Sequence, residues 1–201
     1  MRALAFDFRA HGESDGRWIT IGDEESLDVA AALDFARGLG GPTAWVGFSM
    51  GASSYLQHVA SGGDEADLCA VLDSPFDTLR EAIGARLDVL HVPRGWIDGV
   101  LRMRADLRFP EIDRCRPIDG APRLTRPTLL LFAPRDPWIP TATRERFRAA
   151  MSGSCELRVL AEGRHDDHVR PNHRGAAAWR GAVIDFLAAH APDVDAARSG
   201  D

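Results

Sequence analysis

The chain has 201 residues, 45% of them hydrophobic, with 24 basic side chains against 30 acidic ones and a formal net charge of −6. That length and apolar content fit one domain with a sizeable core, and the acidic balance argues against a nucleic-acid partner. Every basic residue is arginine, which excludes Schiff-base chemistry and a serine–lysine dyad.

Cys69, Cys115 and Cys155 are widely spaced, without a C-x-x-C pair, and read as reduced thiols of a cytoplasmic protein. The apolar run at Met1–Asp7 is too short for a signal peptide, and no stretch approaches the roughly 20 apolar residues of a membrane span.

In chain order, Arg2–Phe8 is expected to form a strand that runs into the turn-rich stretch Asp7–Gly16. Asp23, Glu24 and Glu25 mark a helix start; Val29, Leu33 and Ala36 fall at helical spacing, and Gly38 and Gly40 end the helix. Thr43–Phe48 reads as a buried strand, Ala52–Ala60 as a helix, and Leu68–Leu72 as a parallel strand covered on both faces. Between Ser74 and Pro127 no strand is expected. Leu79, Ile83, Leu87 and Leu90 make one helical stripe and Trp96, Val100, Met103 and Leu107 another, so residues 76–126 form a small helical cap or insertion. That segment either packs on the sheet or overhangs the site and selects substrate. Thr128–Ala133 is the next strand, followed by a helix with Arg144, Phe147 and Met151. The last strand is Leu157–Leu160, and an amphipathic helix carrying Trp179, Val183, Phe186 and Leu187 closes the domain, 1–191, before a flexible tail, 192–201. Strands alternating with helices, all parallel in expectation, define a doubly wound α/β sheet with its site at the C-terminal strand ends.

The chemistry concentrates in Gly47-Phe48-Ser49-Met50-Gly51, a G-x-S-x-G sequence between a strand and a helix. Glycines on either side of Ser49 permit a sharp, strained turn that exposes the hydroxyl. The same turn aims the Met50 N–H, an oxyanion-hole donor, and the helix N-terminus at the point where a tetrahedral oxyanion would develop. With no lysine available, histidine is the expected base. Ser49 follows one strand, Asp136 the next but one, and His165 the last. This order assigns Ser49 as nucleophile, His165 as general base and then acid, and Asp136 as the group that orients the imidazole. His168 competes as base. Asp73 competes as acid, although Ser74-Pro75 after it favours a structural turn. His11 reads as packing or holding its loop, with a substrate contact as the alternative, and His58, His91, His173 and His190 read as surface or helix residues. No cofactor or metal is called for, and the expected partner is a small-molecule or peptide acyl substrate, with the oligomeric state left open.

These motifs together resemble the α/β-hydrolase superfamily, within it the bacterial serine aminopeptidase-like and prolyl-oligopeptidase-like hydrolases. Asp7-Phe8-Arg9-Ala10-His11-Gly12-Glu13-Ser14 is similar to that family's D-x-R-G-x-G-x-S loop, and Asp73-Ser74-Pro75-Phe76 to its strand end after the elbow. Asp136-Pro137-Trp138-Ile139-Pro140 is similar to its acid motif, and Gly163-Arg164-His165 to its histidine turn. The resemblance implies a serine hydrolase that cleaves an ester, thioester or amide through an acyl-enzyme. An acyltransferase of the same fold, or an impaired hydrolase serving as a binding module, are the alternatives. Two departures stand out: Ala133-Pro134-Arg135 replaces the H-G-x of many relatives, and an acidic loop follows His165. The resemblance further implies two or three strands and an oxyanion loop ahead of Arg2, one of those strands lying between Arg2–Phe8 and Thr43–Phe48. The expectation is therefore a fragment of a longer reading frame, with its first strands missing and a gap or forced pairing beside Thr43–Phe48. It would lack the second oxyanion donor, and stability and activity would be low.

Overall fold

Four strands line up in chain order and all run parallel: β1 (Ala44–Phe48), β2 (Cys69–Asp73), β3 (Thr128–Phe132) and β4 (Cys155–Val159). This computed structural model describes residues 2–96, 99, 111–165 and 175–191. Register aligns the C-terminal ends, with Phe48 opposite Asp73, Asp73 opposite Leu131, and Phe132 opposite Val159. The loops that follow the strands therefore meet on one rim of the sheet, where α/β proteins place their sites.

Side chains of the inner strands point alternately to the two faces, and each face has its own apolar layer. Ala70, Leu72, Leu130 and Phe132 pack against Val29 and Leu33 of α1 (Glu25–Gly38), Tyr55 and Leu56 of α2 (Met50–Ala60), and Phe147 of α5 (Thr141–Ala150). On the other face Cys69, Val71, Leu129 and Leu131 meet Val183 and Phe186 of α6 (Gly175–His190). A sheet covered on both sides needs continuous apolar strands, and every residue of β2 and β3 is buried. The sheet is thus doubly wound.

The described part of 76–126 adds Leu79 and Ala82 of α3 (Leu79–Val89) to the first layer. Ile112 of α4 (Glu111–Arg114), Cys115 and Leu124 join it too, as does Ala121 of the 3-10 segment Pro117–Arg123. Thr78 caps α3 by accepting from the Glu81 N–H at 3.2 Å. Leu90, expected on the α3 stripe, is 66% exposed because the helix stops at Val89. Trp96 of the second stripe is exposed, and Val100, Met103 and Leu107 lie outside the described residues.

Arg2–Phe8 is not a strand, which corrects the expectation. A strand exists through its ladder of hydrogen bonds, and among the described residues β1 pairs with β2 alone, leaving its outer edge open. The segment is held by aromatic contacts instead, Phe6 meeting Phe8 at 5.0 Å and Trp45 at 6.0 Å between ring centroids. Its following loop is tied to α1 by Arg9, which donates to Asp28 at 2.8 Å and to Glu24 at 2.8 Å. Glu25, expected only as a helix-start acid, is fully buried and accepts from the Thr20 N–H, the Thr20 hydroxyl and the Gly22 N–H.

Candidate active site

Ser49 ends β1 and precedes α2, with φ 47° and ψ −109°. A non-glycine residue at positive φ is strained by about 1–3 kcal/mol, so the flanks have to hold it there. Its N–H donates to the Asp73 carbonyl at 2.7 Å, and its carbonyl accepts from the Ser53 N–H at 2.9 Å. The steric demand for glycine rests on Gly47: a Cβ there would stand 2.8 Å from both the Ala52 nitrogen and the Gly51 carbonyl carbon. A Cβ on Gly51 would meet, beyond its own helix, only the Phe8 ring at 3.5 Å, which is ordinary contact. The two flanking glycines, expected to share one role, therefore do not.

Asp136 lies in the loop between β3 and α5, and its carboxylate serves two purposes. Oδ1 accepts from the backbone N–H groups of Trp138 at 2.8 Å and Ile139 at 3.1 Å, which makes it a turn former. Oδ2 lies 2.7 Å from Nδ1 of His165. The other imidazole nitrogen, Nε2, is 2.8 Å from the Ser49 hydroxyl. The Asp136 side chain is wholly buried, that of His165 is 15% exposed and Ser49 is half-buried, so this run of contacts is sealed at the acid and partly exposed toward the serine. The loop carrying His165 is tied to the acid loop where the Arg135 N–H donates to the Gly163 carbonyl at 3.3 Å.

The competing acid is engaged elsewhere. Asp73 is buried, and its carboxylate accepts from the Ser74 hydroxyl at 3.0 Å and from Nε1 of Trp179 at 3.1 Å. His11 donates from Nδ1 to the Arg9 carbonyl at 2.8 Å and so holds its own loop. Burial pulls the His58 pKa down; its Nε2 lies 3.1 Å from the Asp64 carbonyl. His91 sits in the turn after α3, and His190 packs on Phe186 at the end of α6. His168 and His173 lie outside the described residues.

Met50 opens α2, and the N–H groups of a helix's first turn have no acceptor inside the helix and carry partial positive charge. Against the acid loop lies a cation that sequence reasoning passed over. The Arg86 guanidinium carbon of α3 stands 5.4 Å from the Trp138 ring centroid. Burial lowers its pKa and the charge of Asp136 raises it again in part. Nothing local distinguishes Arg86 from a surface arginine of an amphipathic helix, because its ring partner is distant in sequence. Trp179 escaped notice as a partner of Asp73 for the same reason. Among the described residues no group of histidine, cysteine and carboxylate side chains is arranged to hold a metal, and no helix is long and apolar enough to cross a membrane.

A hydroxyl, an imidazole and a buried carboxylate joined in this order can pass the hydroxyl proton to the ring while the carboxylate holds the ring's far side. The family model for the Alpha/beta hydrolase family matches residues 1–178. No curated protein sequence compared with the chain matches it. Among solved structures, an esterase of Pyrococcus furiosus superposes with a TM-score of 0.69 at 24% identity, over 92% of this chain and 69% of that one. A monoacylglycerol lipase of Paleococcus ferrophilus gives 0.63 at 19% identity, over 92% of this chain and 82% of that one. An esterase of Exiguobacterium antarcticum gives 0.61 at 15% identity, over 90% and 79%. At these identities the likeness is one of fold.

Proposed function

The chain belongs to the alpha/beta hydrolase family, and from that premise we propose that it is a serine hydrolase that cleaves a carboxylic ester, thioester or amide through an acyl-enzyme. The observation that carries this reading is the unbroken run from Asp136 through His165 to a strained serine, at 2.7 Å and 2.8 Å.

In the mechanism, Ser49 Oγ attacks the substrate carbonyl carbon as its proton passes to Nε2 of His165. Asp136 Oδ2 holds the Nδ1–H and stabilises the imidazolium, while the two backbone N–H groups on Oδ1 keep the carboxylate from turning away. The oxyanion that forms is stabilised by the Met50 N–H and the N-terminus of α2. Collapse of this intermediate expels the leaving group, which takes the proton from Nε2, and leaves an ester on Ser49. Water, deprotonated by His165, then hydrolyses that ester. The names of the solved neighbours make simple esters the first substrates to try.

The test is labelling with a fluorophosphonate probe, with the adduct located by mass spectrometry, alongside turnover of p-nitrophenyl acetate. Labelling at Ser49 that is lost in His165→Ala supports the reading. An unlabelled Ser49, or ester turnover that persists in Ser49→Ala, refutes it and leaves a binding role.

A further inference from the structure

Arg86 is a half-buried cation that meets no carboxylate in an ion pair among the described residues. Several more exposed arginines are paired: Arg94 with Glu81 and Asp88, Arg116 with Asp119, Arg146 with Asp77, and Arg158 with Glu156. Arg86 has, among the described residues, one hydrogen bond, from Nη1 to the Ala82 carbonyl of its own helix at 2.9 Å, and the Trp138 ring beneath it at 5.4 Å. Asp136 acts on it electrostatically but forms no ion pair with it. Oδ1 of that carboxylate accepts from the Trp138 and Ile139 N–H groups, and Oδ2 faces His165.

Taking a cation out of water is unfavourable unless something charged meets it. A position over an aromatic ring offsets part of this, and the N–H groups that the Ala82 carbonyl does not take are suited to a carboxylate or phosphate. The position also matters. Trp138 donates to the same carboxylate that holds His165, so Arg86 lies against the acid loop.

We propose that Arg86 is a specificity residue whose guanidinium, lying over the Trp138 ring, binds an anionic group of the substrate, a carboxylate or a phosphate. The ester hydrolysed then carries a negative charge away from the scissile bond. This inference rests on the hydrolase reading above.

The experiment compares monomethyl adipate with methyl hexanoate, esters with the same acyl length, one charged at the far end, by proton release at neutral pH. A charge-assisted hydrogen-bonded contact gives the charged ester an advantage of about ten- to a hundred-fold in kcat/KM, carried by KM. Arg86→Met brings that ratio close to one, Arg86→Lys keeps part of it, and Arg148→Met, on the exposed side of α5, keeps it whole. Inorganic phosphate and acetate as competitors distinguish the two anions: stronger Arg86-dependent inhibition by phosphate identifies a phosphate site, and by acetate a carboxylate site. Calorimetric titration of Ser49→Ala protein with monomethyl adipate reads binding without turnover. Equal rates for the two esters in the unmodified protein overturn the proposal. So does a loss in Arg86→Met that is the same for both esters, since Arg86 then merely supports the acid loop. If Ser49→Ala binds the adipate through Arg86 but the intact chain turns over neither ester, the hydrolase reading falls and the anion site stands. Turnover of both esters without Arg86-dependent binding leaves the hydrolase and removes the anion site, and the absence of both turnover and binding removes both.

Discussion

Replacing Gly47 with alanine separates the elbow from the rest of the fold. The added Cβ would stand 2.7 Å from Trp45 Nε1 and 2.8 Å from the Ala52 nitrogen and the Gly51 carbonyl carbon. An indole can swing aside, but the other two atoms are backbone in the first turn of α2. Restoring ordinary contact near 3.4 Å moves that turn by about 0.6 Å relative to β1. Overpacking of this kind costs about 1–3 kcal/mol, against a net stability of roughly 5–15 kcal/mol, so the domain still folds. For a chain of this size the melting temperature falls by about 2–12 °C. Ser49 sits between β1 and that turn, and its hydroxyl is 2.8 Å from His165. A misplacement on the order of 1 Å costs about a hundred-fold in rate. The expected result is therefore loss of most ester turnover with retention of a cooperative melt, measured on one preparation with p-nitrophenyl acetate and calorimetry. Gly38→Ala, which meets nothing within 4 Å at the end of α1, is the control and keeps its activity. A Gly47→Ala protein with unchanged kcat/KM would show that the close approach of α2 does not position Ser49.

Three further outcomes can be checked. Ser49→Ala and His165→Ala each lower kcat by about a million-fold, and Asp136→Asn by about ten-thousand-fold because the amide fixes the wrong imidazole tautomer, as read by single-turnover acylation. Burial alone would raise the Asp28 pKa, but hydrogen bonds from Arg9 outweigh it and hold the carboxyl below its ordinary value. A depressed carboxyl stabilises above its unfolded value, about 3.9, and loses that contribution as pH falls through the folded value. The melting difference between the unmodified chain and Asp28→Asn should thus be full at neutral pH and shrink as pH falls below about 3.9; a difference that does not shrink there would show that the ion pair is not its cause. Burial, with help from the charges of Asp23 and Glu25, pushes the Cys115 thiol up to about 12, so iodoacetamide at mildly alkaline pH should label it in denatured but not in native protein, by mass spectrometry.

The parts legible in the sequence were those with a local cause. β3 is a run of apolar residues because both its faces are covered, and it was read to within one residue of Thr128–Phe132. β2 was read one residue early because Asp73 looks like the start of a loop, although its backbone pairs with Phe48 and Leu131. Leu4, Phe6 and Phe8 alternate as a strand would, yet the same alternation lets Phe6 lie against Trp45 without a ladder, and composition cannot separate the two. Ser49, Asp136 and His165 could be singled out because each follows a strand and their order carries meaning. The contact of Arg86 with Trp138 could not, since nothing in α3 announces a ring that arrives from another loop.

What aligns the three loops is the backbone ladder carried one step past the strands. The Ser49 N–H donates to the Asp73 carbonyl, the Ser74 N–H to Leu131, and the Leu160 N–H to Phe132, at 2.7, 2.8 and 2.9 Å. Each of these bonds fixes the exit of one strand against its neighbour, so the spacing of serine and histidine is set by the sheet rather than by the loops. The loops then need only short corrections: a strained φ at Ser49, two N–H groups turned onto Asp136, and the Arg135 to Gly163 tie beneath His165. The loop after β4, a strand with no fully buried residue, carries His165, while the loop after the buried β3 carries Asp136. The ion-pair-like contact at 2.7 Å between those two side chains therefore also fastens the exposed edge of the sheet to its core. In this arrangement the carboxylate that orients the imidazole also ties the imidazole's loop to the loop after β3.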